Sequence, residues 1–443
     1  KAEVTLKTNL RLPFDNFTLD GSGATIDGTA LTTAIGIFGS LEDKTRIIND
    51  VKTNDIKISV VNANPYNVGD MVEITTDEVF NIQRPDEFFK CELNEVKDVD
   101  KVNHTITLKT PVVYDYDSSY NLEVGIIKPR ENVTLKNFTI NLNPNNIDGN
   151  AISFNFFRNV TTENITVHNA VYSGIKFSHG INAKVDKCAV YGSNHTELGY
   201  GLYFNTVQVG YMVNSYGDNC RHSFEVGGAS KFILIDNCYA QDGISFGFST
   251  HGNTEFVTFS NCTAKGCLSG FTSRGRTATI KDCLALNNTS IGFNIGEAQD
   301  HRDGEAGKNL MVVGNRAIDN GNHGFYSPIK LYRANIKDNL ALRNNGKGFI
   351  FNASGMVETT LDNNQAIENT GVGFDIKVTT TIGAFINLVL SNNRSVRNRV
   401  GLMFRGGNDL CKNVKFINNT VTESLERGVE IKSGEFCKVL PLF

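Results

Sequence analysis

The chain has 443 residues, 40% of them hydrophobic, with a formal net charge of −4. That apolar content excludes disorder, and the slight negative charge leaves no electrostatic footprint for nucleic acid or a membrane surface. No apolar run reaches the roughly 20 residues of a membrane-spanning helix, so neither membrane nor nucleic acid is expected as a partner.

Residues 1–50 read as opening turns of a β structure. Phe17-Thr18-Leu19 leads into Gly21-Ser22-Gly23-Ala24-Thr25-Ile26-Asp27-Gly28, an alternating strand with turn residues. The start at Lys1, with neither Met nor a signal peptide, reads as a processed or trimmed end. Residues 51–130 depart from this pattern. Val68-Gly69-Asp70-Met71-Val72-Glu73-Ile74 and Thr105-Ile106-Thr107-Leu108 predict strands of a small β insertion, with a charged loop between them.

From residue 131 one pattern recurs to the end. An alternating apolar strand meets a polar residue, usually Asn, then a short turn, then Gly and a second alternating strand that often opens Gly-Phe. The marker falls at Asn137, Asn164, Lys187, Asn214, Asn237, Asn261, Asp282, Asn315, Asn339, Asn364, Asn393 and Asn419. Strands of about five residues cannot bury a face alone, whereas stacked repeats can. Asn at a fixed turn position tolerates left-handed backbone and can ladder along a stack. The pattern therefore predicts an all-β chain: a single-stranded, right-handed parallel β-helix of about a dozen rungs with a small β insertion near its N-terminus. Ile175, Leu202, His222, Phe248, Phe271, Phe293, Phe325, Phe349, Phe374, Leu402 and Val429 form the expected inward column. Cys188, Cys238, Cys262 and Cys283 share one repeat position and read as small, buried, reduced residues. No CxxC pair is present, and neither a metal nor a cofactor is expected. Sequons such as those at Asn132, Asn159 and Asn164 follow from the Asn ladder itself.

Aligning the rungs by the second strand, and reading one position past its last inward residue, gives the column Ser178, Asn205, Glu225, His251, Arg274 and Gly296. Three adjacent rungs thus present Glu, His and Arg. The next rung carries the longest insertion, with Glu297, Asp300, His301, Arg302, Asp303 and Glu305. His222 and Arg221 stand beside Glu225, and His179, Tyr203 and Asn205 lie on the other side. Glu225, His251, Arg274 and His222 are the candidate catalytic residues. His179, Tyr203, Asn205, Arg221, Glu297, Asp300, His301 and Asp303 are the candidate substrate-binding residues. His and Glu exchange protons near neutral pH, and Arg holds a carboxylate or phosphate and steadies developing negative charge. Such a set suits cleavage of an anionic polymer, and the absence of Trp agrees, since neutral sugars often stack on large rings. Glycosidic hydrolysis needs a second carboxylate, for which Glu297, Asp300 and Asp303 are candidates. Phosphodiester hydrolysis and elimination beside a uronic carboxylate stay open, with hydrolysis placed ahead.

The chain resembles the pectate-lyase-like β-helix proteins of bacteriophage tails, the tailspikes and appendage proteins. Asn67-Val68-Gly69-Asp70, Ile106-Thr107-Leu108 and Asp115-Tyr116 look like the insertion these proteins carry before their regular rungs. Cys220-Arg221-His222, Ser249-Thr250-His251-Gly252 and Ser273-Arg274-Gly275 are similar to a pattern of phage β-helix proteins. The resemblance implies a homotrimer on the virion tail, acting outside the host cell, that binds and cuts a surface polymer: capsule, exopolysaccharide or teichoic acid. The chain departs from relatives of the fold in several ways. It lacks paired aspartates with Gly-His-Gly, a calcium-and-arginine set, the Gly-Asp-Gly-rich opening and a trimerising C-terminal domain, which reads as a fragment. The rival expectations are a non-catalytic receptor-binding adhesin and a bacterial secreted polysaccharide lyase or epimerase.

Overall fold

The computed structural model describes residues 2–79, 89–296, 307–353, 355–378, 384–406, 411–432 and 440–442. Alternating burial along its strands stacks them into three parallel columns, one strand of each rung per face. A representative rung runs His222–Gly227, then Lys231–Asp236, then Tyr239–Gln241. These pair in parallel with Phe246–Thr250, Glu255–Ser260 and Thr263–Lys265 of the next rung. The result is a parallel β-helix of about 16 turns, somewhat more than the dozen expected. No helix occurs among the described residues.

The inward column of the first face is continuous in register from Ile175 to Val429, with one correction. Phe224, not His222, stands between Leu202 and Phe248. Other rungs place Gly before the inward residue, at Gly201, Gly247 and Gly270, where a Cβ would strike neighbouring backbone or side chains. This rung has Ser223 there, so its Gly-Phe marker is missing and the sequence alignment slips by two. The rings of Phe224, Phe248, Phe271, Phe293, Phe325, Phe349 and Phe374 then stack 4.7–4.8 Å apart and within 9° of parallel. That spacing is the rung spacing itself, so each ring repeats the seat of the one below.

The Asn marker divides into two physical positions. Up to Asp282 it is the left-handed turn residue, as at Asn164 (φ 51°) and Asn237 (φ 51°). From there the turn is taken by Gly314, Asp338, Asn363, Asn392 and Asn418, and the recurring Asn is the next residue. Asn315, Asn339, Asn364, Asn393 and Asn419 pass side-chain hydrogen bonds of 2.9–3.0 Å from rung to rung. They occupy the position held earlier by the buried, unbridged thiols Cys188, Cys238, Cys262 and Cys283, and Asn315 accepts the backbone N–H of Cys283. A second buried ladder, Asn288–Asn320–Asn344–Asn369–Asn398, runs at the next corner.

The insertion is a six-stranded antiparallel sheet with its own core, which includes Tyr66, Val72, Ile74, Ile106 and Tyr116. It takes in Ser40–Arg46, which the sequence grouped with the opening turns, and closes with Glu123–Lys128. It docks on the flank of the β-helix through charge. Lys231 and Glu92, both fully buried, pair at 3.0 Å, and the Lys231 ammonium lies 4.1 Å from the Tyr114 ring centroid. Arg276 pairs with Glu255 and lies 4.8 Å from the Tyr114 ring centroid, and the Tyr114 hydroxyl donates to the Asn253 carbonyl. A buried pair of this kind costs desolvation and is held by the hydrogen bonds around it, so it fixes where the sheet docks.

Candidate functional site

The site lies on the outward side of the first face. His222 and Glu225 leave one short strand three residues apart, and the Glu225 carboxylate accepts from His222 Nδ1 at 2.5 Å. Its other oxygen, Oε1, faces Nε2 of His251 from the next rung at 3.3 Å. Glu225 is wholly buried and His222 nearly so, while the His251 side chain is 15% exposed. A carboxylate clamped between two imidazoles is therefore sealed on its inner side and opens through His251. Arg274, one rung further, lies with its guanidinium 5.1 Å from the Phe246 ring centroid, and its charge acts on both Glu225 and His222.

The protonation states follow from this geometry. Burial works to raise the Glu225 carboxyl, but His251, His222 and Arg274 outweigh it and hold the group below the usual carboxylate range. Burial, aided by Arg221 and Arg274, lowers His222 to about 4 against the pull of Glu225. Glu225 is thus the anion at neutral pH, and His222 is a neutral imidazole that orients it. His222 Nε2 has no hydrogen-bond partner among the described residues.

Glu225, His251 and Arg274 come together as the sequence suggested, though not in a single register. Asn205 pairs with Ser178 and with Gly227, so Gly227 holds the position expected of Glu225. Glu225 pairs instead with Tyr203 and Ser249. A slip of one residue would have turned its side chain inward; a slip of two keeps it on the outward face, within reach of His251. His251 and Arg274 directly follow their strands, their backbone N–H groups donating to the Val226 carbonyl and the Thr250 hydroxyl at 2.8 Å each.

Tyr203 and Asn205 flank the cluster, with the Tyr203 hydroxyl 3.2 Å from Asn205 Oδ1. A Cβ on Gly227 would crowd both His251 and the Tyr203 hydroxyl, so glycine leaves room for these two side chains. Asn205, Ser178, Lys176 and His179 line an adjoining cavity of about 310 Å³. His179 is turned toward the insertion, its Nδ1 2.6 Å from Glu73. Arg221 rests on the Tyr200 ring. Glu297, Asp300, His301 and Asp303 lie outside the described residues. The sequence reading missed Tyr200, whose ring packs at a tilt against Tyr203 and His222, and Lys176, which lies over Tyr203. The available signal was the position preceding the Gly of each second strand, where Tyr200, His222 and Phe246 succeed one another in register. Cys220 is buried and its thiol is pushed up to about 12, which removes it as a nucleophile. Among the described residues no group of three or more His, Cys, Asp or Glu is placed to hold a metal ion.

Fold and site together define a parallel β-helix protein with one concentrated acid–base cluster on a lateral face. No known family model matches the chain. In sequence it is similar to the capsule K1-specific depolymerase of Klebsiella phage K64-1, 24% identical over 310 residues, which is 66% of this chain and 31% of that protein. The chain thus spans about a third of the length of this relative. In structure it is similar to the tailspike gp49 of Pseudomonas phage LKA1 (TM-score 0.60, 14% identity, 95% of this chain and 69% of that one). It is equally similar to the gp54 tailspike of Acinetobacter baumannii phage AP22, solved with a capsular saccharide (TM-score 0.59, 13% identity, 99% of this chain and 71% of that one). At these identities the structural likeness establishes a shared fold.

Proposed function

We propose that this chain is the β-helix part of a phage tailspike depolymerase that binds and cuts an acidic polysaccharide of the host cell surface. The observation that carries this reading is the buried Glu225 carboxylate fixed between His222 and His251 with Arg274 alongside. Isolated surface charges would be solvated. This carboxylate is desolvated and held by three groups, an arrangement that costs stability and is repaid by chemistry. The relative acting on capsule K1 and the tailspike solved with a capsular saccharide favour capsular polysaccharide over teichoic acid as the polymer. The tailspike likeness also favours a homotrimer on the virion tail.

His251, the most open of the two imidazoles, exchanges the proton, and Glu225 orients it as a buried carboxylate orients a catalytic imidazole. His222 is a positioning residue acting through Glu225. Arg274 holds the polymer's carboxylate and steadies negative charge as it builds. This set suits elimination. An imidazole removes the proton next to a uronate carboxylate, its electron pair forms the new C=C bond, and the glycosidic C–O bond breaks with the proton going to the departing oxygen. Hydrolysis by paired carboxylates would need a partner for Glu225, whose two oxygens already face imidazoles.

The test is incubation with purified acidic capsular polysaccharides, following chain length and the absorbance of unsaturated uronate. Shortening with absorbance, lost in Glu225→Gln and His251→Ala, supports elimination, and shortening without absorbance supports hydrolysis. Binding without shortening across the panel replaces the enzyme with an adhesin.

A further inference from the structure

We propose that a second, distal subsite for the same polymer lies on this face at Asp375, Lys347 and His323, with Asp375 six rungs from Glu225 on one outward column whose first three rungs beyond Glu225 carry buried polar side chains. The inference rests on the polysaccharide-binding reading above and extends it.

The register defines the track. From Glu225 the same outward column passes through Ser249, Thr272 and Asn294, then through Tyr326 and the apolar Ile350, and reaches Asp375. Ser249 and Thr272 are fully buried, Asn294 is 7% exposed and Asp375 1%. Ser249 Oγ, Thr272 Oγ1, Asn294 Oδ1 and Asp375 Oδ1 all lack a hydrogen-bond partner among the described residues. A buried polar group left unpaired costs about 1–3 kcal/mol, and native proteins keep few of them. Four on one column, each facing away from the core, point to a ligand whose hydroxyls complete them. Elsewhere the stack shows what satisfied polar columns look like, since every inner member of the two buried Asn ladders is bonded above and below.

The far end is built for an acidic sugar. Lys347 Nζ contacts Asp375 Oδ2 at 2.5 Å and keeps 27% of its side chain exposed, so it can pair with a uronate. Asp375 Oδ1 is left to accept from a sugar hydroxyl. His323 sits beside them, its Nδ1 accepting the Lys347 backbone N–H at 3.2 Å, and burial lowers it to about 4, so it serves as a neutral hydrogen-bonding group. At roughly 4.8 Å per rung the two ends are about 29 Å apart, which only an extended oligosaccharide spans.

The experiment measures binding to the Glu225→Gln chain of acidic capsular polysaccharides cut to a size ladder by mild acid. Affinity should rise with fragment length until the fragment covers the track, by at least tenfold over the shortest fragments that bind. Asp375→Asn and Lys347→Met should abolish the gain for long fragments. Thr272→Val, isosteric and harmless to the fold, should reduce it from the middle of the track. Length-independent binding, or a retained gain in all three variants, overturns the distal subsite while leaving the acid–base site standing. Absence of binding at every length to every polymer, by the wild-type chain as well, overturns the parent reading and this one with it.

Discussion

Replacing His222 by Gln should change the acid stability of the protein in a defined window. His222 is buried and titrates at about 4, against 6.5 for an ordinary histidine. The unfolded chain therefore binds a proton between pH 6.5 and 4 that the folded chain refuses. Stability is full above pH 6.5 and falls as the pH drops through that window, then levels off below it. At pH 5 the unfolded imidazole is almost fully protonated and the folded one is not, so the loss relative to pH 8 is about 2 kcal/mol. That value changes little if the folded pKa moves by half a unit, because pH 5 already lies above it. Gln at this position still donates to Glu225 and does not titrate. The assay is urea unfolding followed by circular dichroism, the chain having no Trp, at pH 8 and pH 5 for both proteins. The variant's pH 8-to-5 loss should be smaller than the wild type's by about 2 kcal/mol, since titrating groups remote from His222 cancel in the difference and Glu225, held below the usual carboxylate range, stays ionised across the window. Equal losses in the two proteins would mean that His222 is solvated or charged in the fold, and the clamp on Glu225 would fall with it.

In polymer assays, Glu225→Gln and His251→Ala should each lower the shortening rate by about 10²-fold or more, the usual contribution of a positioned acid–base group, without lowering the thermal midpoint by more than a few degrees. Loss of activity in step with loss of fold would argue for a structural role. Lys231→Met should destabilise the docked insertion by roughly 3–5 kcal/mol, because the buried Glu92 loses its ion-pair partner. The double variant with Glu92→Gln should recover part of that loss in thermal unfolding. Asn344→Leu takes the acceptor from the buried Asn320 backbone N–H and one of the two acceptors from its side-chain amide, and should cost roughly 1–3 kcal/mol. Asn363→Ala, on an exposed turn where the side chain donates to Asp338, should cost far less, and equal costs would deny the buried ladder its role.

The β-helix was legible because a stack repeats one residue type at one place per turn: Phe at the inward column, Asn at the corners. What the sequence left ambiguous was register. Period-2 alternation distinguishes a slip of one from none, but not a slip of two, and Ser223 removed the glycine that would have pinned the rung. His222 was therefore read as core. The Asn marker likewise merged two adjacent corner positions, because turn and ladder both favour that residue. The docking of the insertion left no local trace, since Lys231, Glu92 and Tyr114 meet only through the fold. The site itself left a trace in the same breaks. Ser stands where neighbouring rungs have Gly, His where they have Tyr or Phe, and Glu where they have Tyr or Ser. A stack is stabilised by repetition, so each break costs packing that a purely structural rung would keep. Three breaks within four residues, converging on one buried carboxylate, are the pattern expected of the rung proposed to carry the chemistry.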